Sequence, residues 1–222
     1  REKQKAMETI AHKDMGMLIT FEGIDGCGKS TQLTMLSELL TSLGYDILYV
    51  REPGGTVIGE KIRELLLSKK NDMMVPMAEL LLFEAARAQI TEEVIRPSIL
   101  SGKIVLCDRF YDSSYAYQGV ARDLGKDMVK ALNMFATSGL KPDLTFVLDI
   151  DVKTALERRF GRDEAEDRIE ALGTKFQEDV RRGYLEAGEE EPDRIKIIDA
   201  ARVPDAIHED IKDIVLDFIN AK

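Results

Sequence analysis

The chain has 222 residues, 44% of them apolar, and sets 31 Lys and Arg against 41 Asp and Glu, for a formal net charge of −10. That is enough apolar mass for one α/β domain with a sizeable core, and no stretch reaches the roughly 18 uninterrupted apolar residues of a membrane span. A surface this negative repels the phosphates of nucleic acid and acidic lipid, so any anion must meet a local positive site. The two cysteines, Cys27 and Cys107, have no partner at metal-ligand spacing. They exclude a disulfide scaffold or structural zinc cluster and point to a reducing, cytoplasmic setting.

Residues 1–16 mix acidic and basic side chains without an apolar stretch, matching neither a secretory leader nor an acid-poor transit peptide. They read as a tail ahead of one compact domain over 17–222. A buried strand is expected from Met17 to Phe21, then a glycine-rich turn and a helix from Thr31 to Leu43, with Gly44 as its C′ residue. A strand over Asp46 to Val50 leads through REPGGT to helices over Val57 to Ser68 and Ala78 to Leu100, the second bent at Pro97. A third strand, Lys103 to Cys107, precedes helices over Ser113 to Gly119 and Asp127 to Ser138. A fourth runs from Leu144 to Asp149. A helix then starts near Val152, a charged stretch spans Arg158 to Arg168, and a long helix follows. Ile195 to Ile198 and Pro204 to Asn220 close the chain as strand and helix. The alternation predicts an α/β fold, a parallel sheet of about five strands with helices on both faces and ligands at the carboxyl ends of the strands.

Gly23-Ile24-Asp25-Gly26-Cys27-Gly28-Lys29-Ser30-Thr31 satisfies the G-x-x-x-x-G-K-[ST] pattern between a strand and a helix. Its glycines let successive backbone N–H groups face one centre, and the following helix adds its positive dipole end. Such a nest suits phosphate and predicts a P-loop NTPase fold. Lys29 is expected to follow the β- and γ-phosphates of ATP, and the Ser30 hydroxyl to ligate Mg²⁺. Cys27 lies beside Lys29 and a helix N-terminus, surroundings that lower a thiol pKa. Two readings stand open for it: a reactive thiol whose alkylation inactivates the protein, and a small spacer.

A P-loop alone does not separate kinases from GTPases or motors, although the lack of an N-K-x-D segment weakens the GTPase option. Asp108-Arg109-Phe110 puts a carboxylate and a guanidinium at a strand's carboxyl end. Asp108 is suited there to Mg²⁺ or a metal-bound water, and Arg109 to bidentate binding of an acceptor phosphate; a surface ion pair is the plainer alternative.

GIDGCGKST, REPGGT, LLFEAARAQ, CDRFYDSSYAYQG and KPDLTFVLD together resemble, in order and spacing, the thymidylate kinase family, over residues 17 to about 220. The resemblance implies transfer of phosphate from MgATP to dTMP by a homodimeric enzyme that binds neither nucleic acid nor membrane. By resemblance Phe83 stacks on the base and Arg87 donates to a base carbonyl; four apart on a predicted helix, they share a face, although a core Phe and a solvated Arg fit that spacing too. Arg51, with Gly54 and Gly55, resembles the acceptor-phosphate loop, and Arg63 a further nucleotide contact. Ser114 and Gln118 resemble the residues that bond the thymine edge. Tyr117 resembles the ring that crowds the sugar's 2′ side. Asp25 resembles a carboxylate near the acceptor's sugar, or it caps the helix. Phe110 departs from the Tyr or His that relatives often carry.

Arg158, Arg159, Arg162 and Arg168 lie in the charged segment with Asp163, Glu164, Glu166 and Asp167. The pattern resembles the bacterial-type arrangement, in which a lid, here at about 158–170, supplies the arginine that other members carry where this P-loop has Gly26-Cys27. A solvated helix face is the competing reading. The expected chemistry is in-line transfer without a covalent intermediate, with Lys29, Asp108, Arg109, Arg158 and Arg162 as catalytic groups and Ser30 and Asp108 on the metal. Another P-loop nucleoside or nucleotide kinase, a P-loop ATPase without a nucleotide acceptor, and a non-catalytic binding module are the alternatives.

Overall fold

The computed structural model describes residues 16–160 and 167–221. Expectations for the tail over 1–15, for Arg162 and for acidic residues 163, 164 and 166 lie outside the described residues. Five strands form one sheet: β1 (Met17–Glu22), β2 (Ile47–Arg51), β3 (Ile104–Asp108), β4 (Leu144–Asp149) and β5 (Ile195–Asp199). All pairings are parallel, in the order β2-β3-β1-β4-β5. The three inner strands are buried almost throughout, as near-continuous apolar runs require, while the edge strands keep Tyr49 and Ile197 exposed.

The pleat sends alternate β1 side chains to opposite faces. Leu18 joins Val105, Cys107, Ile90 and Ile95 in one core. Met17, Ile19 and Phe21 join Leu33, Leu36 and Leu40 of α1 (Lys29–Ser42) in the other, with Ile207, Ile211, Val215 and Ile219 of the C-terminal helix. Helices therefore cover both faces of the sheet, and truncating a wholly buried residue such as Leu36 to Ala costs about 2–5 kcal/mol. Among the described residues no helix is long and apolar enough to cross a membrane.

Helix α1 ends as its sequence predicts. Gly44 takes φ 86°, its N–H reaches Thr41 O at 2.9 Å, and Tyr45 N–H reaches Leu40 O at 3.1 Å. Thr56 caps α2 (Val57–Leu67) by accepting from Gly59 N. The helix expected over Ala78 to Leu100 is instead three pieces: α3 (Pro76–Ile90), a widened π-type turn over Thr91–Ile95, and α4 (Arg96–Leu100). Pro97 has no N–H to close a normal turn, and the path widens just ahead of it. A second widened stretch, Tyr115–Ala121, follows the short α5 (Tyr111–Ser114) where a plain α-helix is expected. Beyond it come α6 (Lys126–Ala136), α7 (Val152–Phe160), α8 (Thr174–Glu190) and α9 (Pro204–Ala221). Gly183 lets α8 pack closely on the second π stretch, since a Cβ there would stand 2.8 Å from Ala116 Cα.

Candidate active site

The P-loop leaves the end of β1 and turns under α7. Gly26 has φ 89°, and a Cβ on it would stand 2.3 Å from the carbonyl oxygen of Ala155, so no other residue fits. No side chain caps α1, whose N-cap is Gly28, and the dipole end of the helix opens onto a cavity. Lys29 folds back over the loop, its Nζ donating to Gly23 O at 3.1 Å and Ile24 O at 3.3 Å. Asp25 Oδ1 lies 3.8 Å from that ammonium and accepts from Arg109 at 2.6 Å. Burial alone would raise the Asp25 pKa; Arg109 and Lys29 outweigh it and pull the carboxyl down to about 2.

Strand register brings the other charges alongside. Asp108 is level with Phe21 of β1 on one side and with Arg51 of β2 on the other. Arg109 takes a left-handed backbone, φ 67°, and its amide donates to Phe21 O at 2.9 Å. Such a conformation costs about 1–3 kcal/mol and persists where contacts over-determine it. Here the guanidinium is held by Asp25, by Tyr184 Oη at 3.0 Å and by the Tyr117 ring beneath it at 5.4 Å. Arg51 donates to Pro53 O at 3.0 Å and to both Glu60 oxygens, and Arg63 donates to Pro53 O at 3.0 Å. Both therefore flank one loop.

A cavity of about 500 Å³ opens over these groups, lined by Gly26, Gly28, Lys29, Ser30, Arg51 and Asp108 among others. A second, of about 300 Å³, is lined by Phe83, Ser114, Tyr117 and Gln118. Asp25, Ser30, Glu52, Arg63 and Arg109 line both, so the two are halves of one trough. Gly23 and Ile24 contribute carbonyls to Lys29 rather than cavity wall, and Thr31 is exposed on α1.

Arg87 departs from expectation. It is 1% exposed, does not line the second cavity and sits behind its wall. Its donors go to Glu52 at 2.9 Å, Glu84 at 2.7 Å, Ser114 at 2.9 Å, Asn133 at 3.1 Å and Phe110 O at 3.2 Å. Two carboxylates sharing one buried guanidinium leave a carboxylate oxygen of each, Glu52 Oε1 and Glu84 Oε2, without a hydrogen bond. Burial pushes the Glu52 carboxyl up to about 7, Arg87 opposing and Glu84 adding to the rise. Phe110 is wholly buried core, and its backbone carries the polar contacts, to Arg87 and to Glu22.

The charged segment also divides differently from expectation. Arg158 donates to the carbonyls of Ala200 and Ala201 and lines neither cavity. Arg159, its neighbour, lines the P-loop cavity and pairs with Glu170 at 3.3 Å. Arg168 is buried, donating to Leu66 O at 2.8 Å and pairing with Glu79. Cys27 follows the spacer reading: it is 1% exposed and burial pushes its thiol up, against the pull of Lys29.

Five buried acids escaped the sequence reading. Glu22 ends β1 and accepts from Phe110 N, Ser113 and Tyr184, with burial raising its carboxyl to about 7. Glu52, Glu79, Glu84 and Asp112 are the others. A signal existed for Glu79, since it shares the 79, 83, 87 face of α3 with two residues singled out for other reasons. Tyr184, from α8, had none.

Among the described residues no three His, Cys, Asp or Glu side chains are grouped to hold a metal ion by themselves. Ser30 and Asp108 both line the P-loop cavity, and two hard oxygen donors suit Mg²⁺, which keeps waters and takes its remaining ligands from phosphate.

The chain is similar to known proteins over most of its length. The family model described as thymidylate kinase matches residues 21–211. A thymidylate kinase of Thermoanaerobacter sp. (strain X514) is 49% identical over 204 residues, covering 92% of this chain and 99% of its own. One from Thermosipho melanesiensis is 51% identical over 199 residues, covering 90% and 97%. The crystal structure of thymidylate kinase from Ehrlichia chaffeensis superposes with a TM-score of 0.74 at 32% identity, covering 90% of this chain and 99% of that one. A family model that matches residues 21–211, with relatives 49% and 51% identical over nine-tenths of the chain, makes the chain a member of the thymidylate kinase family.

Proposed function

We propose that this protein transfers the γ-phosphoryl group of MgATP to dTMP, giving dTDP and ADP. The observation that carries the reading is the shared wall: Asp25, Ser30, Arg63 and Arg109 border both halves of the trough. A triphosphate over the P-loop and a monophosphate beside Arg109 then meet end to end, the geometry in-line transfer needs. The base of dTMP lies against Phe83, with Tyr117 beside the sugar and Ser114 and Gln118 at its edge. Arg87, screened from the cavity, acts on the base through Ser114.

Lys29 leaves the carbonyls of Gly23 and Ile24 to follow the β- and γ-phosphates, while Arg51 and Arg109 fix the acceptor phosphate. Already ionised, that phosphate needs no strong general base. Arg159 is the described residue of the charged segment best situated to bring positive charge to the transferring group, where preorganised donors lower the barrier most. Ser30 and Asp108 would hold Mg²⁺, which when bound neutralises charge between the β- and γ-phosphates. Asp167, Ile169 and Glu170 in the cavity wall support a lid over about 158–170 within one domain spanning 17–222.

Exposed Ile58, Leu65, Met77 and Leu81 on α2 and α3 support a homodimer, as single-chain packing leaves them bare. The buried, unpaired Cys27 and Cys107 support a cytoplasmic setting. The test is coupled ADP release with dTMP, thymidine and a panel of other nucleoside monophosphates. ADP formed with dTMP but not thymidine supports the reading; ADP formed equally with no acceptor rejects it in favour of an ATPase.

A further inference from the structure

Glu79 of α3 is wholly buried at the base end of the trough. Its Oε1 accepts from Gln118 Nε2 at 2.8 Å and from Arg122 Nε at 3.2 Å. Its Oε2 accepts from the Arg122 NH2 group at 2.9 Å and is ion-paired with Arg168 at 2.8 Å. Burial alone would raise the pKa of this carboxyl, but Arg122, Gln118 and Arg168 outweigh burial and hold it below the ordinary carboxylate range. Glu79 is therefore ionised at neutral pH and is an acceptor only.

An acceptor-only partner decides which way a primary amide faces. The NH₂ end of Gln118 must turn to Glu79, and its carbonyl end turns away. Gln118 lines the cavity beside Phe83, Ser114 and Tyr117, and among the described residues no donor reaches its Oε1.

We propose that Glu79 is a positioning residue for base specificity: by fixing the Gln118 amide it offers a carbonyl acceptor to the ring N3–H of thymine and turns away cytosine, whose N3 is itself an acceptor. The inference rests on the dTMP reading above and deepens it. Two acceptors facing each other lose a hydrogen bond and leave buried lone pairs unpaired, which is how a site built around one hydrogen-bond pattern refuses another. The same carboxylate also anchors Arg168, next to Asp167, Ile169 and Glu170 of the cavity wall, so the test must separate orientation of the amide from support of that wall.

Glu79→Gln keeps the shape but can either donate to or accept from Gln118, so the bias on the amide is lost. The measurement is kcat/KM for dTMP and dCMP, with ADP release as readout, in E79Q, Q118M and the double variant. In E79Q the dTMP-over-dCMP ratio should fall by about tenfold or more, with KM for ATP changed by less than about twofold. E79D, which restores an acceptor-only carboxylate, should recover part of the ratio. In the Q118M background, adding E79Q should leave the ratio unchanged. A full ratio in E79Q, or a further loss in the Q118M background, overturns the inference. If E79Q does not fold, E79Q/R168M removes the buried guanidinium it strands and is read the same way. No dTMP-dependent ADP from the unaltered protein overturns the functional reading and this inference with it, whereas a ratio insensitive to E79Q overturns the inference alone.

Discussion

The two ends of the trough are built by different physics. At the P-loop end, geometry comes from backbone: glycine conformations at the turn, the uncapped start of α1, and a register that levels Phe21, Arg51 and Asp108. Its charged side chains keep some contact with the cavity. At the base end, geometry comes from buried side-chain charges drawn from four stretches of chain, with Arg87 between Glu52 and Glu84 and with Glu79 among Gln118, Arg122 and Arg168. Substitutions at the first end should therefore cost activity while sparing the fold, and at the second they should cost both.

The largest expected effect lies at the base end. Arg87→Met strands two buried carboxylates and should cost about 3–5 kcal/mol in urea unfolding. Stability within about 1 kcal/mol of the parent would erase the contrast, because Arg87 would then be no more structural than a surface charge. At the other end, Lys29→Ala removes two hydrogen bonds to loop carbonyls and one cation from the wall of the P-loop cavity. Turnover should drop about 10²–10³-fold while the melting temperature holds. A melting temperature that falls as far as that of R87M would break the contrast from this side.

A pH profile sharpens it further. Glu22, raised by burial from 4.5 to about 7, binds a proton more tightly folded than unfolded. Its contribution to stability is full below pH 4.5 and is lost as pH rises toward 7. Asp25, lowered from 3.8 to about 2, contributes in the opposite sense: its stabilisation is present above pH 4 and is lost as pH falls toward 2. Glu22→Gln should flatten the decline between pH 4.5 and 7 in chemical denaturation and leave the acid limb intact; a decline unchanged by E22Q removes Glu22 as its source. The smallest effect belongs to Cys27. Buried and held protonated, it should react with iodoacetamide far more slowly than a free thiol, and Cys27→Ala should keep turnover within about twofold.

The same contrast explains what the sequence made legible. A phosphate nest is local, so nine consecutive residues announce it, and the place of Asp108-Arg109 at the end of β3 is legible because the pair follows a plain apolar strand. Charge networks are non-local. Phe83 and Arg87 share a helix face as expected, yet only packing reveals that the Phe lines the cavity while the Arg lies behind it. Period alone does not say how deep a side chain sits. Arg158 and Arg159 are adjacent in an unpatterned charged run, and the direction of α7 decides that the second faces the P-loop. The widened turns at Thr91–Ile95 and Tyr115–Ala121 keep helical periodicity closely enough to read as ordinary helix.

The claim beneath all of this is that both halves of the trough serve one transfer. Single-turnover incubation with ATP labelled at its γ-phosphate tests it most directly. With dTMP present, the label should pass to dTDP, and without dTMP it should stay on ATP. Label released as inorganic phosphate at the same rate with and without dTMP would contradict the account.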